Sequence, residues 1–280
     1  MLEMLTVDRI IKNALEEDLG CGDVTTDSTI PKGTAIKGFF IAKEQGVVCG
    51  IEVCKRVYEI MDDAIAFEIL IIDGLMAQKG DVIARISGPA RSILKGERVS
   101  LNLLQRMSGI ATAASKYAEA VQGTIARVVD TRKTMPGLRI LDKYSVLTGG
   151  CHNHRFNLSD LVLIKDNHIK AAVGITAAVK AAKEKLSHTL KIEVEVESLE
   201  QLKEALTAGA DIIMLDNMSL EMMREAVQIT KGKALLEASG NVALEGNRSV
   251  KAIAQTGVDI ISVGALTHSV SAMDISLRFV

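Results

Sequence analysis

Residues 192–216 read IEVEVESLEQLKEALTAGADIIMLD: an apolar run with glutamates set into it, a helix-period stretch, and a second apolar run ending on an acid. Nearly continuous apolarity with β-branched residues marks a strand buried on both faces, and strand alternating with helix is the pattern of a parallel sheet. The unit recurs. After Gly123 the apolar runs are Ile125–Val129, Leu161–Ile164, Ile192–Val196, Ile212–Leu215, Ala234–Leu236 and Val258–Val263, each followed by helix-period residues. About 150 residues hold six or seven such units, fewer than the eight of a complete TIM barrel. The expected fold class is α/β, with an open (β/α) barrel of about seven strands here and an open doubly wound sheet as runner-up.

Upstream, Ala90–Gln122 is helical in period, with Ile93, Val99, Leu103, Leu104, Ile110 and Ala114 on one side, and should link two halves as one long helix or two joined ones. The first 90 residues have a mixed α+β order. A helix at about 5–17, part of an amphipathic stretch from Met1 to Gly20, leads into a loop from Gly20 to Pro31. Strand-like Gly38–Gly50, helix-like Ile51–Met61, and strand-like Phe67–Ile72 and Asp81–Ser87 follow.

Composition narrows the function classes. Lys plus Arg total 33 against 35 Asp plus Glu, so no global field favours nucleic acid or a membrane surface. No apolar run approaches the roughly 20 residues of a membrane span, and the N-terminus lacks the basic-then-apolar order of a signal peptide. Four scattered cysteines without CxxC spacing suit reduced thiols and a cytoplasmic setting.

Each apolar run ends on polar residues: Asp130-Thr131-Arg132-Lys133, Lys165-Asp166-Asn167-His168, Glu195 with Glu197, Asp216-Asn217, Glu237-Ala238-Ser239-Gly240-Asn241, and Gly264-Ala265-Leu266-Thr267-His268. In a parallel barrel these ends converge on one mouth. One polar strand end is ordinary loop solvation; six in succession call for a site. Arg132, Lys133, Arg139, Arg155, Lys165, His154 and His168 are cations suited to carboxylates or phosphates, while Glu195 and Asp216 offer hard oxygen donors for Mg²⁺. A multiply anionic ligand carrying Mg²⁺ accounts for both signs of charge. Ser239-Gly240-Asn241 and Gly264-Ala265-Leu266 are small-residue turns whose amides can approach a phosphate. Cys151-His152-Asn153-His154 is too compact for easy zinc ligation; with Pro136, Gly149 and Gly150 it suggests a loop over the mouth, from which His154 and Arg155 meet substrate.

The chain resembles quinolinate phosphoribosyltransferases over nearly its full length. The resemblance lies in Glu17–Gly20 with Gly22–Thr26, Leu104–Thr112, Asp130–Gly137, Gly149–Gly150, His152–Arg155, Ile164–His168, Glu193 with Glu195, Leu215–Asn217, Ser239–Asn241 and Ser262–His268. It implies an N-terminal α/β sandwich domain at 1–107, to which residues 270–280 return, and a barrel domain at 108–269. The implied reaction is phosphoribosyl transfer from 5-phosphoribosyl 1-diphosphate to quinolinate, giving nicotinate mononucleotide, CO₂ and diphosphate for NAD synthesis. Arg132 and Arg155 with His154 and Lys165 would hold quinolinate, and Lys133, with Thr131 nearby, would lie by the donor. Glu195 and Asp216 would serve the Mg²⁺-bound ribose diphosphate. Ser239, Gly240, Asn241, Gly264, Ala265 and Leu266, with His268, would surround the 5-phosphate. The resemblance also implies a homodimer, or a hexamer built from dimers, in which Arg106 reaches the neighbouring subunit's site. Relatives encoded in molybdate operons, and a catalytically silent sensor of phosphoribosyl compounds, are the rival readings. Two departures from the family stand out: Cys151 where glycine is expected, and about three extra residues within Glu245–Val250.

Overall fold

The computed structural model describes residues 2–280; Met1, where the amphipathic N-terminal reading begins, lies outside the described residues. In chain order the elements are α1 (Met4–Leu19), α2 (Val24–Thr29), β1 (Ala35–Ala42), β2 (Gly46–Val47), α3 (Ile51–Met61), β3 (Ala66–Ile69), β4 (Met76–Ala77), β5 (Val82–Pro89) and α4 (Ala90–Ala120). There follow β6 (Arg127–Val129), α5 (Arg139–Thr148), β7 (Val162–Ile164), α6 (Asp166–Ala171), α7 (Ile175–Lys185), β8 (Ile192–Val196), α8 (Leu199–Ala208), β9 (Ile212–Asp216), α9 (Leu220–Thr230), β10 (Leu235–Ser239), α10 (Val250–Ala254), β11 (Ile260–Ser262), α11 (Ala265–His268) and β12 (Ile275–Phe279).

One compact unit comprises the chain through Ser115, Thr134–Gly150 and Leu266–Val280. Its sheet has the order β12-β1-β5-β3, and the C-terminal strand pairs antiparallel with β1 from Gly38↔Phe279 to Ala42↔Ile275. Gly109 of α4 lets the returning chain come close, because a Cβ there would sit 2.1 Å from the Ser271 carbonyl oxygen. A second apolar cluster joins Val7, Ile11 and Leu15 of α1 to Val53 and Val57 of α3 and Val99, Leu103, Met107 and Ala111 of α4. α4 is still packing in this cluster at Ala111, and this unit takes the helix through Ser115. The expected loop from Gly20 to Pro31 contains a helix: Asp23 caps α2, its Oδ1 accepting the Thr26 amide at 2.9 Å. Residues 139–148 form α5, a helix after the first apolar run of the second half, and its Leu141 packs in the cluster just described.

The second unit comprises Lys116–Lys133 and Cys151–Ala265. Its six-stranded sheet has the order β6-β11-β10-β9-β8-β7, with β7 to β11 adjacent in sequence order and the first strand, β6, paired in parallel with the last, β11. That pairing of first with last favours a barrel over a doubly wound sheet, whose order would reverse at a switch point. A seventh position survives as one parallel bridge, Val129↔His152: the His152 amide donates to the Val128 carbonyl at 2.8 Å and the Asp130 amide to the His152 carbonyl at 3.1 Å. The opening therefore lies between the His152 segment and β7.

Candidate active site

All the strands of the second unit run the same way, so their C-terminal ends share one edge of the sheet. At the end of β6, Asp130 is fully buried, and its Oδ1 accepts the His154 amide at 2.9 Å. This contact stitches residues 152–155 to the strand end and brings Arg155 beside Arg132. Burial, and after it the like charge of Arg132, pulls the Arg155 pKa down. Arg155 Nη1 donates to the Leu161 carbonyl at 3.0 Å. Two guanidinium groups pressed together at partial burial are an anion-binding arrangement. The Lys133 amide donates to Thr131 Oγ1 at 3.0 Å, and the Lys133 residue is exposed.

Glu193 and Glu195 lie two residues apart on β8 and so point to the same face. Glu195 Oε2 accepts from Lys165 Nζ at 3.1 Å at a partly exposed position. Glu193 is fully buried, and with Glu237 of β10 it flanks His154, whose Nε2 lies 3.2 Å from each carboxylate. The other ring nitrogen, Nδ1, lies 2.7 Å from the Arg155 amide nitrogen, and Nε2 is the nitrogen that faces the carboxylates. Burial opposes charge on this imidazole, but the two carboxylates outweigh it and raise its pKa to about 10. Burial and the Glu237 charge push the Glu193 carboxyl up as well. The three groups thus retain a proton between them, whether drawn as imidazolium with carboxylates or as imidazole with a carboxylic acid. Their ligand atoms lie within 4.8 Å of one another, which makes this the one set of three His, Cys, Asp or Glu groups among the described residues able to enclose a metal ion.

On neighbouring β9, Asp216 Oδ2 accepts from Asn217 Nδ2 at 2.9 Å. The parallel register pairs Val196 with Leu215, so Glu195 and Asp216 end adjacent strands. Each carboxylate keeps one oxygen outside any hydrogen bond within the chain. The β10 end forms the turn Ser239-Gly240-Asn241. Gly240 has φ +91°, and a Cβ on it would lie 2.1 Å from Asn217 Oδ1, so only glycine fits. Gly264 and Ala265 follow β11 in the same unit.

Arg106, Leu266 and His268 belong to the first unit. The Leu266 side chain is buried, leaving only its backbone for a ligand. His268 is exposed and shares a 2.7 Å hydrogen bond with Ser269 Oγ. Arg106 donates from Nε and Nη2 to the two oxygens of fully buried Asp142, at 2.9 and 2.8 Å, and from Nη2 to the Thr267 carbonyl at 3.3 Å. Nη1 makes no hydrogen bond among the described residues, so the guanidinium is hydrogen-bonded along one edge and presents the other. Asp142 Oδ2 also accepts the Met135 amide at 3.1 Å. Sequence reasoning assigned no role to Asp130, Asp142 or Glu237. For Glu237 the signal was an acid closing an apolar run; for Asp142 no pattern marked a buried acid.

Residues 23–108 match the family described as quinolinate phosphoribosyl transferase, N-terminal domain, and residues 110–278 match its C-terminal domain. A probable nicotinate-nucleotide pyrophosphorylase (carboxylating) of Bacillus subtilis is 42% identical over 273 residues, covering 98% of this chain and 93% of the relative. One of the same description from Methanocaldococcus jannaschii is 46% identical over 282 residues, covering 97% and 96%. The crystal structure of NadC from Streptococcus pyogenes superposes with a TM-score of 0.93 at 39% identity, covering 100% of this chain and 99% of that one. With both domain families matched in order and whole-length relatives at this identity, the chain belongs to the quinolinate phosphoribosyltransferase family.

Proposed function

We propose that the chain transfers the phosphoribosyl group of 5-phosphoribosyl 1-diphosphate to the ring nitrogen of quinolinate, with loss of CO₂, giving nicotinate mononucleotide in NAD biosynthesis. The observation that carries this reading is the Arg132–Arg155 pair, two mutually repelling cations at the end of one strand and beside its bridged neighbour, a match for a dicarboxylate. His154 takes part through Arg155, whose amide it anchors. Lys165 completes the clamp, and Lys133 lies toward the donor. The ring nitrogen's lone pair forms the new bond to C1 as the C1–O bond to diphosphate breaks. Glu195 and Asp216 face the positive charge developing at the sugar. The bond to the 2-carboxylate then breaks, its electron pair remaining on the ring carbon beside the cationic nitrogen until a proton is taken up. Positioning supplies most of the rate.

The oxygen-only donors of Glu195 and Asp216, on adjacent strand ends and each with an uncommitted oxygen, fit Mg²⁺. When bound, the ion offsets charge on the departing diphosphate. The 5-phosphate is taken by the turns Ser239–Asn241 and Gly264–Leu266. No helix among the described residues is long and apolar enough to cross a membrane, and a cytoplasmic enzyme suits the free cysteines. Conversion of quinolinate and 5-phosphoribosyl 1-diphosphate to nicotinate mononucleotide and CO₂ is expected, abolished by EDTA and restored by Mg²⁺; absence of turnover with the metal supplied would refute the reading.

The assembly we propose is a homodimer with shared sites, Arg106 offering its Nη1 edge to the partner. Arg106→Ala and Lys165→Ala should each be inactive. Exchanged into mixed dimers, they should recover about a quarter of the wild-type rate, since half the dimers would then hold one intact site. Verified mixed dimers without activity would place Arg106 in its own subunit's site.

A further inference from the structure

The loop between β10 and α10 is closed on itself. Ala243 and Ser249 form a parallel bridge, the Val250 amide donates to the Ala243 carbonyl at 2.8 Å, and Ser249 caps α10. The closure turns Arg248 back under the β10 turn. Its Nε donates to the Gly240 carbonyl at 2.8 Å, its Nη2 to the Ser239 carbonyl at 2.9 Å, and its Nη1 to the Met218 carbonyl. All three guanidinium nitrogens are committed to backbone.

The consequence follows from peptide geometry. In a trans peptide the C=O and N–H point in opposite directions, and among the described residues there are no cis peptides. The Ser239 carbonyl, held by Arg248 and by the Asn217 amide at 3.1 Å, turns the Gly240 amide away from it, and fixing the Gly240 carbonyl on Arg248 does the same for the Asn241 amide. Neither amide donates a hydrogen bond among the described residues. Gly240 and Asn241 have φ of +91° and +51°, and Asn241 Nδ2 donates to Asn217 Oδ1 at 3.2 Å, which fixes the far side of the turn. Consecutive amides with this curvature form an anion-binding concavity.

We propose that Arg248 is a positioning residue that orients the Gly240 and Asn241 amides toward the phosphate monoester of the ribosyl substrate, so that the loop through Glu245–Val250 builds a support for that subsite. The proposal rests on the reading that this turn takes the 5-phosphate. A guanidinium serves where an ammonium cannot, because its planar fork reaches three carbonyls at once. It touches backbone carbonyls and not the ligand, so its effect is exerted through the amides.

The test uses calorimetric binding of ribose 5-phosphate and of quinolinate to the full-length protein, with steady-state KM for both substrates. Arg248→Ala should weaken ribose 5-phosphate about tenfold or more, as loss of a supporting hydrogen-bond partner does elsewhere. KM for 5-phosphoribosyl 1-diphosphate should rise alongside, with quinolinate binding held within twofold. Arg248→Lys should recover little of the loss. Full recovery by lysine would mean that charge alone matters and would overturn the positioning role, as would unchanged ribose 5-phosphate binding in Arg248→Ala or an equal loss for both ligands. Should Arg248→Ala fail to fold, Arg248→Lys decides: ribose 5-phosphate weakened and quinolinate unchanged supports the proposal, and both unchanged overturns it. A wild-type protein that turns over its substrates but does not bind ribose 5-phosphate would instead remove the phosphate-turn reading, and the proposal with it.

Discussion

Strand β8 carries the same chemistry at two depths. Glu193 faces His154 where both are sequestered, and Glu195, two residues on, faces Lys165, whose side chain is 46% exposed. Each is a carboxylate opposite a cation. In the deep layer, water cannot substitute for a missing partner, so the groups are locked together and share a proton. In the outer layer solvent screens the pair, and either member can exchange its partner for a ligand at little cost. Depth thus sorts like residues into a support and a working surface.

The largest effect should come from the deep layer. His154→Ala would leave the buried Glu193 and Glu237 carboxylates facing each other without their cation, at a cost of roughly 3–5 kcal/mol of unfolding free energy near pH 8. The loss should shrink toward pH 5, where the Glu193 carboxyl, whose pKa burial raises, can take up a proton in place of the imidazole. Urea unfolding at the two pH values measures both. A loss that is small, or the same at both, would show that the three groups do not share charge.

Next comes the clamp. Arg132→Ala and Arg155→Ala should each cost about 2–5 kcal/mol in kcat/KM for quinolinate, because a guanidinium-carboxylate pair in a partly dry site loses that much when one partner is removed. Arg155→Ala should leave His154 and its carboxylates in place, since His154 holds the Arg155 backbone amide and not its side chain. Wild-type handling of quinolinate by either variant would move the dicarboxylate elsewhere.

A smaller effect concerns pH. The His154 pKa rises from 6.5 to about 10 on folding, so the folded state binds this proton more tightly than the unfolded one. The stabilisation is fully present below about pH 6.5 and is lost as pH climbs toward 10. The raised Glu193 carboxyl acts in the same sense, since a carboxyl that resists ionisation makes the fold less stable as pH rises. Stability should fall between pH 7 and 9.5 by about 1.4 kcal/mol per pH unit for one proton. Thermal unfolding of wild type against His154→Asn checks this: the slope should flatten in the variant, and an equal slope would assign it to other groups.

Much of this was legible in the chain because strands buried on both faces announce themselves, and those of the second unit fall where the apolar runs predict. The strand-end cations and carboxylates were legible for the same reason. Helix α5 fits the helix expected after the first apolar run, although Asp142, Lys143 and Ser145 on it are polar and yet buried, which blurs its apolar period. The seventh strand position, reduced to the single bridge at His152, has too few residues to show any period. Arg248 was hidden differently: its partners are backbone carbonyls, which every residue carries, so no side-chain pattern marks them.

The smallest expected effect on the fold lies in the outer layer and completes the contrast. Lys165→Ala removes the partner of Glu195, but an exposed lysine gains little Coulomb energy in water and gives up side-chain freedom to hold its place. Glu195 keeps access to solvent and can be hydrated when the ammonium is gone. Stability should therefore change by about 1 kcal/mol or less, while quinolinate binding, measured by calorimetry, should weaken sharply. The pairing of results is what discriminates. If Lys165→Ala destabilised the protein as much as His154→Ala does, the two depths of β8 would not differ in kind. If it left both stability and quinolinate binding intact, the outer pair would be ordinary surface charge, and the clamp would consist of the arginines alone.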